Sequence, residues 1–420
     1  MRFICDIIRL IRANMTVQVL LATILGVVAG VVLGENAAFL KVFGITFIKI
    51  IIGFVGLLVF VSIINSIGKN RDISSLGKTL GIAVTSFLAT SLLALIWANL
   101  VAGLWKVGDG VSLNATELTK TPEPMKFELT EFVLQFLPST NPIDALGSGN
   151  MIQVIWYAAL IGIAAMLVLN EAERKNDSHI MEVGNVFFAF TEFMDRSLQK
   201  ILIYIVKFAP LGAFGSMAYS VGTHGAEVLI ALSQLTGAVI LAIALHQLLI
   251  TALVKYTLKM PPLLFAKSML KAQLVAFSSS SSAATLPVTI KVLTEKLGVP
   301  DRIATSVAPL GATVNMDGTL INIIVSTIFI ANVMGHPLDT HMLITVSATS
   351  LMASVATAAV PGASLIMLAT VLTVAGLPVE AIGIILAVDR ILDMVRTACN
   401  IYTDGFTAVL VARMQEERKS

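Results

Sequence analysis

Apolar stretches separated by short polar connections run through the whole chain. They cover about residues 17–34, 42–66, 79–105, 150–170, 184–222 and 228–254. A helix needs about 20 mainly apolar residues to cross a bilayer, and the longer stretches exceed this length, which predicts tilt or continuation beyond the membrane. The pattern therefore predicts an all-α polytopic membrane protein.

The composition supports the same conclusion. Of the 420 residues, 56% are hydrophobic and 13% are charged, and the mean hydropathy is +0.89. A soluble protein carries about 25% charged residues. The net charge of +2 comes with no concentrated basic surface, which argues against a nucleic-acid partner. Cys5 and Cys399 are too few for a disulfide framework and lack metal-ligand spacing.

Basic residues are concentrated in alternate connections. Arg2, Arg9 and Arg12 precede the first apolar stretch, and Lys255 and Lys259 follow the sixth. Because cytoplasmic loops are rich in Lys and Arg, we expect a multi-pass protein of the cell (inner) membrane with both termini cytoplasmic. The basic start resembles a signal peptide, but the first stretch is long enough to span and no small-residue cleavage site follows. We therefore expect a retained first helix.

Polar residues interrupt two apolar regions in the last third of the chain. The first region, 258–293, contains five consecutive serines within Phe277–Pro287. Serine hydroxyls compete for backbone groups and Pro287 lacks an N–H, so a continuous helix is not expected. Residues Ser354–Ser364 interrupt the second region, 342–375, in a similar way. Both are predicted to be helical hairpins with tips inside the membrane, where irregular backbone must be buried in protein or line a cavity.

Paired interruptions of this kind point to a transporter built from inverted repeats. A flexible serine linker is the alternative for the first tip, and its apolar flanks argue against it. Between the hairpins lies Asn315-Met-Asp-Gly-Thr319, again in an apolar span. These are poor mid-helix residues, so we expect an unwound turn whose carbonyl, amide and carboxylate oxygens suit alkali or alkaline-earth cations. A structural kink is the alternative.

A stripe of polar side chains occupies the last apolar segment. At 100° per residue, Asp389, Asp393, Arg396, Asn400 and Asp404 fall within a sector of roughly 80° on a helix. Ionisable groups in a bilayer cost roughly 2.5–3.5 kcal/mol each, so they face a protein interior or an ion pathway. We expect Arg396 to neutralise one neighbour and to leave two acids in need of cations. The alternative is a structural ion-pair network between helices.

Together these motifs resemble the glutamate transporter family, the dicarboxylate/amino acid:cation symporters. The most specific matches are Thr285-Leu-Pro287, Asn315 to Thr319, Val360-Pro-Gly362 and Asp389 to Asp404. The resemblance covers nearly the whole chain. It implies eight transmembrane helices and two re-entrant hairpins in inverted repeats, with an elevator-type mechanism in a homotrimer.

The resemblance also implies a division of the chain. Spans 1–2 (residues 1–74) and 4–5 (107–222) would form the scaffold. Span 3 (75–106), span 6 (223–257) and the core of hairpins and spans 7 and 8 (258–420) would form the transport domain.

Positions that match the family's motifs imply a substrate site and three sodium sites. Arg396 would pair with a substrate side-chain carboxylate and Asp393 would hold an α-ammonium group. The remaining substrate positions are Ser281, Ser282, Thr319, Val360, Thr397 and Asn400. The first sodium site would comprise Gly311, Asn315, Asn400 and Asp404; the second Thr313, Met316, Ser354, Val355 and Thr357; the third Thr90, Ser91, Asn315 and Asp317.

Some positions depart from the family pattern. Relatives carry an extra arginine at the position of Ser280 or of Met394, and neither is present here. Glycine is common at the position of Ser364. Proton-coupled relatives tend to lack an acid at the position of Asp404, so its presence favours sodium, and Ile323 stands where proton-carrying animal relatives have glutamate.

These observations predict a sodium-coupled importer of L-aspartate and/or L-glutamate, and no enzyme. A proton-coupled glutamate or C4-dicarboxylate symporter is the nearest alternative, although a C4-dicarboxylate has no use for an ammonium partner at Asp393. An ion channel is an alternative of a different class. An intramembrane protease is disfavoured because Ser278–Ser282 has no histidine nearby in sequence to act as a base.

Overall fold

The computed structural model describes residues 15–69, 73–109, 141–148, 151–225, 227–355, 357 and 363–416. Regular structure within these ranges is entirely helical. Most of the connection between the apolar stretches 79–105 and 150–170 lies outside them, as does Val360 at the second predicted hairpin tip.

The helices of the first half follow the predicted apolar stretches closely. They are α1 (Met15–Leu33), a 3-10 helix (Gly34–Leu40), α2 (Lys41–Lys69), α3 (Ile73–Trp105), α4 (Pro142–Ser148), α5 (Met151–Lys175), α6 (Ser178–Val206), α7 (Ala209–His224) and α8 (Glu227–Thr257). The stretch 184–222, predicted as one run, is two helices, α6 and α7, whose axes differ by 47°. Pro210 lies in the first turn of α7, where its missing N–H and its ring prevent the preceding helix from continuing straight.

The second half consists of shorter helices followed by one long one. They are α9 (Pro262–Ser279), α10 (Ser282–Glu295), α11 (Asp301–Val314), α12 (Asp317–Val333), α13 (Thr340–Val355), α14 (Ala363–Val374), a 3-10 turn (Val379–Ala381) and α15 (Ile382–Glu416). The helices α9 and α10 pack against each other, as do α13 and α14. Helix ends therefore fall at all three places where the sequence predicted an interruption.

By length and hydropathy, five helical stretches among the described residues can cross a membrane, or six if the bent α6–α7 pair counts as one. Large apolar side chains such as Leu25, Val32 and Leu104 are 60%, 75% and 78% exposed on the outer surface. Such a surface is stable against lipid and not against water. The protein is therefore a multi-pass membrane protein.

The helices pack in two groups. In the first group α1 packs on α7, and α2 packs on α5, α6 and α7. In the second group α15 packs on α8, α9, α11 and α12, and α3 packs on α8 and α12. The groups meet where α15 touches α1, α2 and α7, and there Thr23 Oγ1 donates a hydrogen bond of 3.3 Å to the carbonyl of Ala387. The roles of these groups as scaffold and transport domain stay a prediction.

Helix α12 lies at the centre of the second group. Of its residues Asp317–Val333, nearly all are buried, and its two polar ends face the neighbouring helices. A helix that is buried on every side needs no amphipathic pattern, and apolar residues accordingly occupy all faces of α12. This helix positions the Asn315–Thr319 turn inside protein.

Glycines make the contact between α1 and α7 close. A Cβ atom added at Gly30 would lie 2.8 Å from the carbonyl oxygen of Ala218, and one at Gly222 would lie 2.4 Å from that of Gly34, the first residue of the 3-10 helix that follows α1. Small residues let membrane helices approach at backbone distance, where dispersion forces and not hydrophobic burial hold them together. The spacing Gly26–Gly30 on α1 is the corresponding G-x-x-x-G pattern.

We expect Gly30→Ala and Gly222→Ala to destabilise the protein by about 1–3 kcal/mol each, because the added methyl group forces the helices apart. The matched control is Gly103→Ala on α3, where nothing lies within 4 Å of the added Cβ. The measurement is thermal unfolding in detergent. Equal midpoints for Gly30→Ala and Gly103→Ala would contradict the close contact.

Candidate functional site

The first break, at Ser280–Ser281, ends α9 and starts α10. Ser280 has the left-handed φ of +51°, and Ser281 is extended, with its Oγ accepting a hydrogen bond of 3.2 Å from the Ala284 N–H. This is an ordinary helix N-cap. Pro287 lies inside α10, six residues beyond the break, so the serines and not the proline interrupt the helix.

The second break separates α11 from α12 at Asn315 and Met316. Asn315 Nδ2 donates to Asp404 Oδ1 and to Thr403 Oγ1 at 3.0 Å each. The Gly318 N–H at the start of α12 donates to Asn400 Oδ1 at 2.8 Å. Side chains of α15 therefore satisfy polar groups that the broken helix leaves without partners.

Two glycines allow α15 to approach this break. A Cβ atom at Gly318 would lie 2.4 Å from the Arg396 carbonyl oxygen, and one at Gly311 would lie 2.4 Å from Asp404 Oδ1. Real Cβ contacts are essentially never this short. The glycine in the Asn315–Thr319 motif is thus needed for close packing against α15.

Arg396 is 2% exposed and contacts two carboxylates of its own helix. Its Nη1 donates to Asp389 Oδ1 at 3.0 Å and its Nε donates to Asp393 Oδ1 at 3.1 Å. Arg390 approaches Asp393 from the other side, with Nη1 3.7 Å from Oδ2. Arg396 therefore contacts two acids, although its single positive charge can neutralise only one of them. Three and seven residues separate Arg396 from these acids, so both lie on one helix face within reach of the planar guanidinium.

A small polar cavity of about 20 Å³ lies between the helix breaks and α15. Its lining residues are Ser280, Ser282, Met316, Thr319, Thr357, Ser364, Asp393, Arg396, Thr397 and Asn400. A volume of this size holds about one water molecule. An organic substrate with two carboxylates therefore needs movement of the surrounding segments before it can bind in contact with Arg396.

Most residues predicted to bind substrate line this cavity. Ser282, Thr319, Asp393, Arg396, Thr397 and Asn400 do so. Ser281 is buried beside it, where its side chain caps α10, and Val360 lies outside the described residues. The structure thus brings together residues that are more than 100 positions apart in the sequence.

Two serines in the cavity have hydroxyl groups without partners. The Oγ atoms of Ser280 and Ser364 are buried and make no hydrogen bond within the described part of the chain. Both residues are 2% exposed and come from different broken segments. Sequence reasoning noted these positions only as departures from the family pattern. A buried hydroxyl without a hydrogen-bond partner costs free energy, and a hydrogen bond to a ligand or to water removes that cost. Both hydroxyls are therefore candidates for hydrogen bonds to a bound ligand.

The residues predicted for the first sodium site meet around Asp404. Asp404 is fully buried, and its Oδ2 has no hydrogen-bond partner among the residues that the structure describes. Its Oδ1 is held by Asn315, and the missing Cβ of Gly311 leaves the space that Asp404 occupies. A buried carboxylate oxygen without a hydrogen-bond partner fits a small hard cation.

The predicted third sodium site contains an additional contact. Ser91 Oγ donates to Asp317 Oδ1 at 2.7 Å, and Thr90 Oγ1 donates to Asn315 Oδ1 at 3.2 Å. The other oxygen of Asp317 lies 3.3 Å from Nε2 of His246, which is fully buried. Because both oxygens already face a protein group, this donor set fits a cation less well than Asp404 does. The hydrophobic pattern of the sequence does not indicate this contact.

The residues predicted for the second sodium site belong to α11, α13 and the segments after them. Met316 and Thr357 line the same cavity. The hydroxyls of Thr313 and Ser354 donate to carbonyls of their own helices, at 2.9 and 2.8 Å, and Val355 is partly exposed. Any cation here would depend on carbonyl oxygens, as the resemblance implies.

We expect Ser280→Ala and Ser364→Ala to leave the ligand-free thermal midpoint unchanged or slightly raised, because each removes an unpaired buried hydroxyl. We expect both to reduce the increase in midpoint that saturating L-aspartate or succinate produces. Ser278→Ala is the control, since its exposed hydroxyl donates to the carbonyl of Val275. A lowered ligand-free midpoint with an undiminished ligand effect would show that the hydroxyls are only structural.

Comparison with known proteins places this site in a family. The model of the sodium:dicarboxylate symporter family matches residues 15–414. A C4-dicarboxylate transport protein 2 of Polaromonas naphthalenivorans is 30% identical over 96% of this chain and 88% of its own length. C4-dicarboxylate transport proteins of Aeromonas salmonicida and Bacillus subtilis are also 30% identical over 96% of the chain, covering 93% and 94% of their own lengths. The chain therefore belongs to the sodium:dicarboxylate symporter family, which is related to the glutamate transporters.

Proposed function

We propose that this protein is a cation-coupled symporter that imports C4-dicarboxylates. The observation that carries the proposal is the buried Arg396 guanidinium, which faces a polar cavity at the meeting point of two helix breaks. A guanidinium binds a carboxylate with two parallel hydrogen bonds. Relatives named as C4-dicarboxylate transport proteins support this substrate class over the acidic amino acids that the sequence motifs alone favoured.

The two carboxylates of such a substrate have separate partners in the cavity. Arg396 would bind one carboxylate after exchanging part of its contact with Asp389 or Asp393. The unpaired hydroxyls of Ser280 and Ser364 would donate to the other. These hydroxyls are neutral, so they satisfy the second carboxylate without neutralising it.

The charge balance of the site supports cation coupling. On α15, Arg390 and Arg396 stand against Asp389, Asp393 and Asp404, so the site is negative before substrate enters. A dicarboxylate adds two further negative charges in a region shielded from water. Burying uncompensated charge is costly, so cations that bind together with the substrate lower the free energy of the loaded state. Sodium at Asp404 is the first candidate for this role, and protons are the alternative.

An acidic amino acid is the second candidate substrate, and Asp393 favours it. L-aspartate is itself a C4-dicarboxylate with an amino group, and a buried carboxylate beside Arg396 suits an ammonium group. A plain C4-dicarboxylate and L-aspartate therefore differ at this site by one interaction, the contact of the amino group with Asp393. Uptake of radiolabelled succinate and L-aspartate into proteoliposomes, under an inward sodium gradient or an inward proton gradient, distinguishes both substrate and coupling ion.

The family resemblance also supports a homotrimer in which the α1–α2 and α5–α7 group is the scaffold and the rest moves. The basic connections support cytoplasmic termini in the inner membrane. These assignments remain our inferences. Chemical cross-linking in membranes and cysteine accessibility from either side test the first and the second, respectively.

We expect Arg396→Lys to weaken succinate binding about ten- to hundredfold, because a hydrogen bond to a charged group contributes about 1.5–3 kcal/mol and the ammonium cannot bind two oxygens at once. Lysine keeps a positive charge beside Asp389 and Asp393, which preserves folding. Arg390→Lys is the control and should change affinity less. Succinate affinity equal to that of the parent in Arg396→Lys would refute the role of Arg396.

Uptake of succinate and L-aspartate by Asp393→Asn tests whether Asp393 binds the amino group of the substrate. If the substrate is a plain C4-dicarboxylate, this variant keeps succinate uptake. If L-aspartate is the substrate, its affinity falls while succinate is not transported by the parent at all. Accumulation of neither substrate by the parent under either gradient would overturn the proposed function.

We expect Asp404→Asn to raise the sodium concentration needed for half-maximal uptake by about tenfold or more, since the amide keeps the shape but loses the charge that binds the cation. Glu380→Gln, at an exposed acid outside the site, is the control. The measurement is uptake at fixed substrate over a sodium titration. If parent, control and Asp404→Asn all reach half-maximal uptake at the same sodium concentration, Asp404 is not a ligand of the coupling cation.

A further inference from the structure

A second cavity lies at the open end of the α9–α10 hairpin, opposite its tip. Its volume is about 230 Å³, roughly ten times that of the cavity at Arg396. It is lined by Lys267, Ser268, Lys271, Lys291, Val292, Glu295 and Lys296. We call Lys267, Lys271, Lys291 and Lys296 the lysine cluster. None of these residues belongs to the substrate or sodium sites.

The charges of the lysine cluster are poorly compensated. The one acid in the cavity lining, Glu295, lies 3.7 Å from Lys291 in an exposed pair. Lys267, Lys271 and Lys296 make no ion pair with an acid within the described part of the chain. Four cations held around one cavity repel each other, and the fixed hairpin keeps them together. An anion in the cavity would relieve that repulsion.

The apolar surface beside the cluster indicates the kind of anion. On α9, Leu263, Leu270 and Leu274 are 64%, 51% and 60% exposed. At 100° per residue the three leucines fall within about 40° of one another around the helix axis. Lys267 and Lys271 lie about 20° and 60° beyond Leu274, on the same side of the helix. A soluble anion would use only the lysines. A molecule with an anionic head and apolar tails would cover both the cavity and the leucine stripe.

We propose that the lysine cluster binds the headgroup of an anionic phospholipid, with the acyl chains along Leu270 and Leu274, which lie on the tip side of Lys267. The predicted orientation puts this end of the hairpin at the cytoplasmic leaflet, where anionic lipids attract basic residues. Basic pockets between membrane helices on that side suit such headgroups. The lipid would fix the open end of the hairpin whose tip contributes Ser280 and Ser282 to the substrate cavity.

The test compares lipid binding by purified protein after delipidation. The variants are Lys267→Gln/Lys271→Gln, the charge-preserving Lys267→Arg/Lys271→Arg, and the matched control Lys49→Gln/Lys200→Gln, whose lysines are exposed and lie far from the cavity in sequence. Phosphatidylglycerol, phosphatidylcholine and inorganic phosphate are titrated separately. The readouts are retained lipid by native mass spectrometry and the shift in thermal midpoint, neither of which needs transport.

We expect phosphatidylglycerol, and not phosphatidylcholine, to be retained by the parent, the arginine variant and the control. The glutamine variant should need about tenfold or more phosphatidylglycerol for the same shift in midpoint. Equal retention by the glutamine variant and the control would overturn the proposal. A shift produced by inorganic phosphate as large as that from phosphatidylglycerol would overturn it too, since it would identify a soluble anion as the ligand. If the double glutamine variant misfolds, the single variants Lys271→Gln and Lys291→Gln replace it. Their phosphatidylglycerol retention and midpoint shift are compared with those of the control in the same way.

Discussion

The burial of a guanidinium among three broken helical segments is the constraint on which the structure depends. Irregular backbone and ionised side chains are tolerated at membrane depth only when protein surrounds them. Helix α15 brings Arg396, Asn400 and Asp404 to the ends of α11 and α12, and α12 is itself buried along nearly its whole length. The enclosing helices thus make possible a polar centre that lipid would not permit.

Close packing and polar contacts support each other at this centre. The absent side chains of Gly311 and Gly318 let α15 come near enough for Asn315 and Asn400 to bond across the break. Those bonds in turn replace the helical hydrogen bonds that the break removes. The side chains that bridge the break between α11 and α12 are therefore paired, whereas the Oγ atoms of Ser280 and Ser364 and the Oδ2 atom of Asp404 are buried and have no partner in the described ranges. We interpret this unequal pairing as the difference between the frame of the site and its ligand positions.

In the proposed function, the arrangement of charge explains why coupling and substrate binding would share one location. Arg396 contacts both Asp389 and Asp393, which leaves it only partly available to a substrate carboxylate. An incoming carboxylate would compete with these acids, and the proposed cation at Asp404 would offset the negative charge that accumulates. Ser91 and His246 contact both carboxylate oxygens of Asp317, whereas Asp404 Oδ2 has no partner among the described residues, so Asp317 and Asp404 are not equivalent.

The sequence by itself determined the membrane class, the positions of the helices and the residues that form the polar centre. Hydropathy and helix-breaking residues are local properties, so the segments Phe277–Pro287 and Asn315–Thr319 could be identified as interrupted, while the structure placed the first break at Ser280–Ser281 and not at Pro287. The tertiary structure decided which polar side chains contact one another. The contact of Arg396 with two acids, the contact of His246 with Asp317 and the unpaired hydroxyls of Ser280 and Ser364 depend on how side chains meet. The bend between α6 and α7 and the glycine contact of α1 with α7 likewise follow from packing, because distances between segments are not encoded in the hydrophobic pattern of either segment.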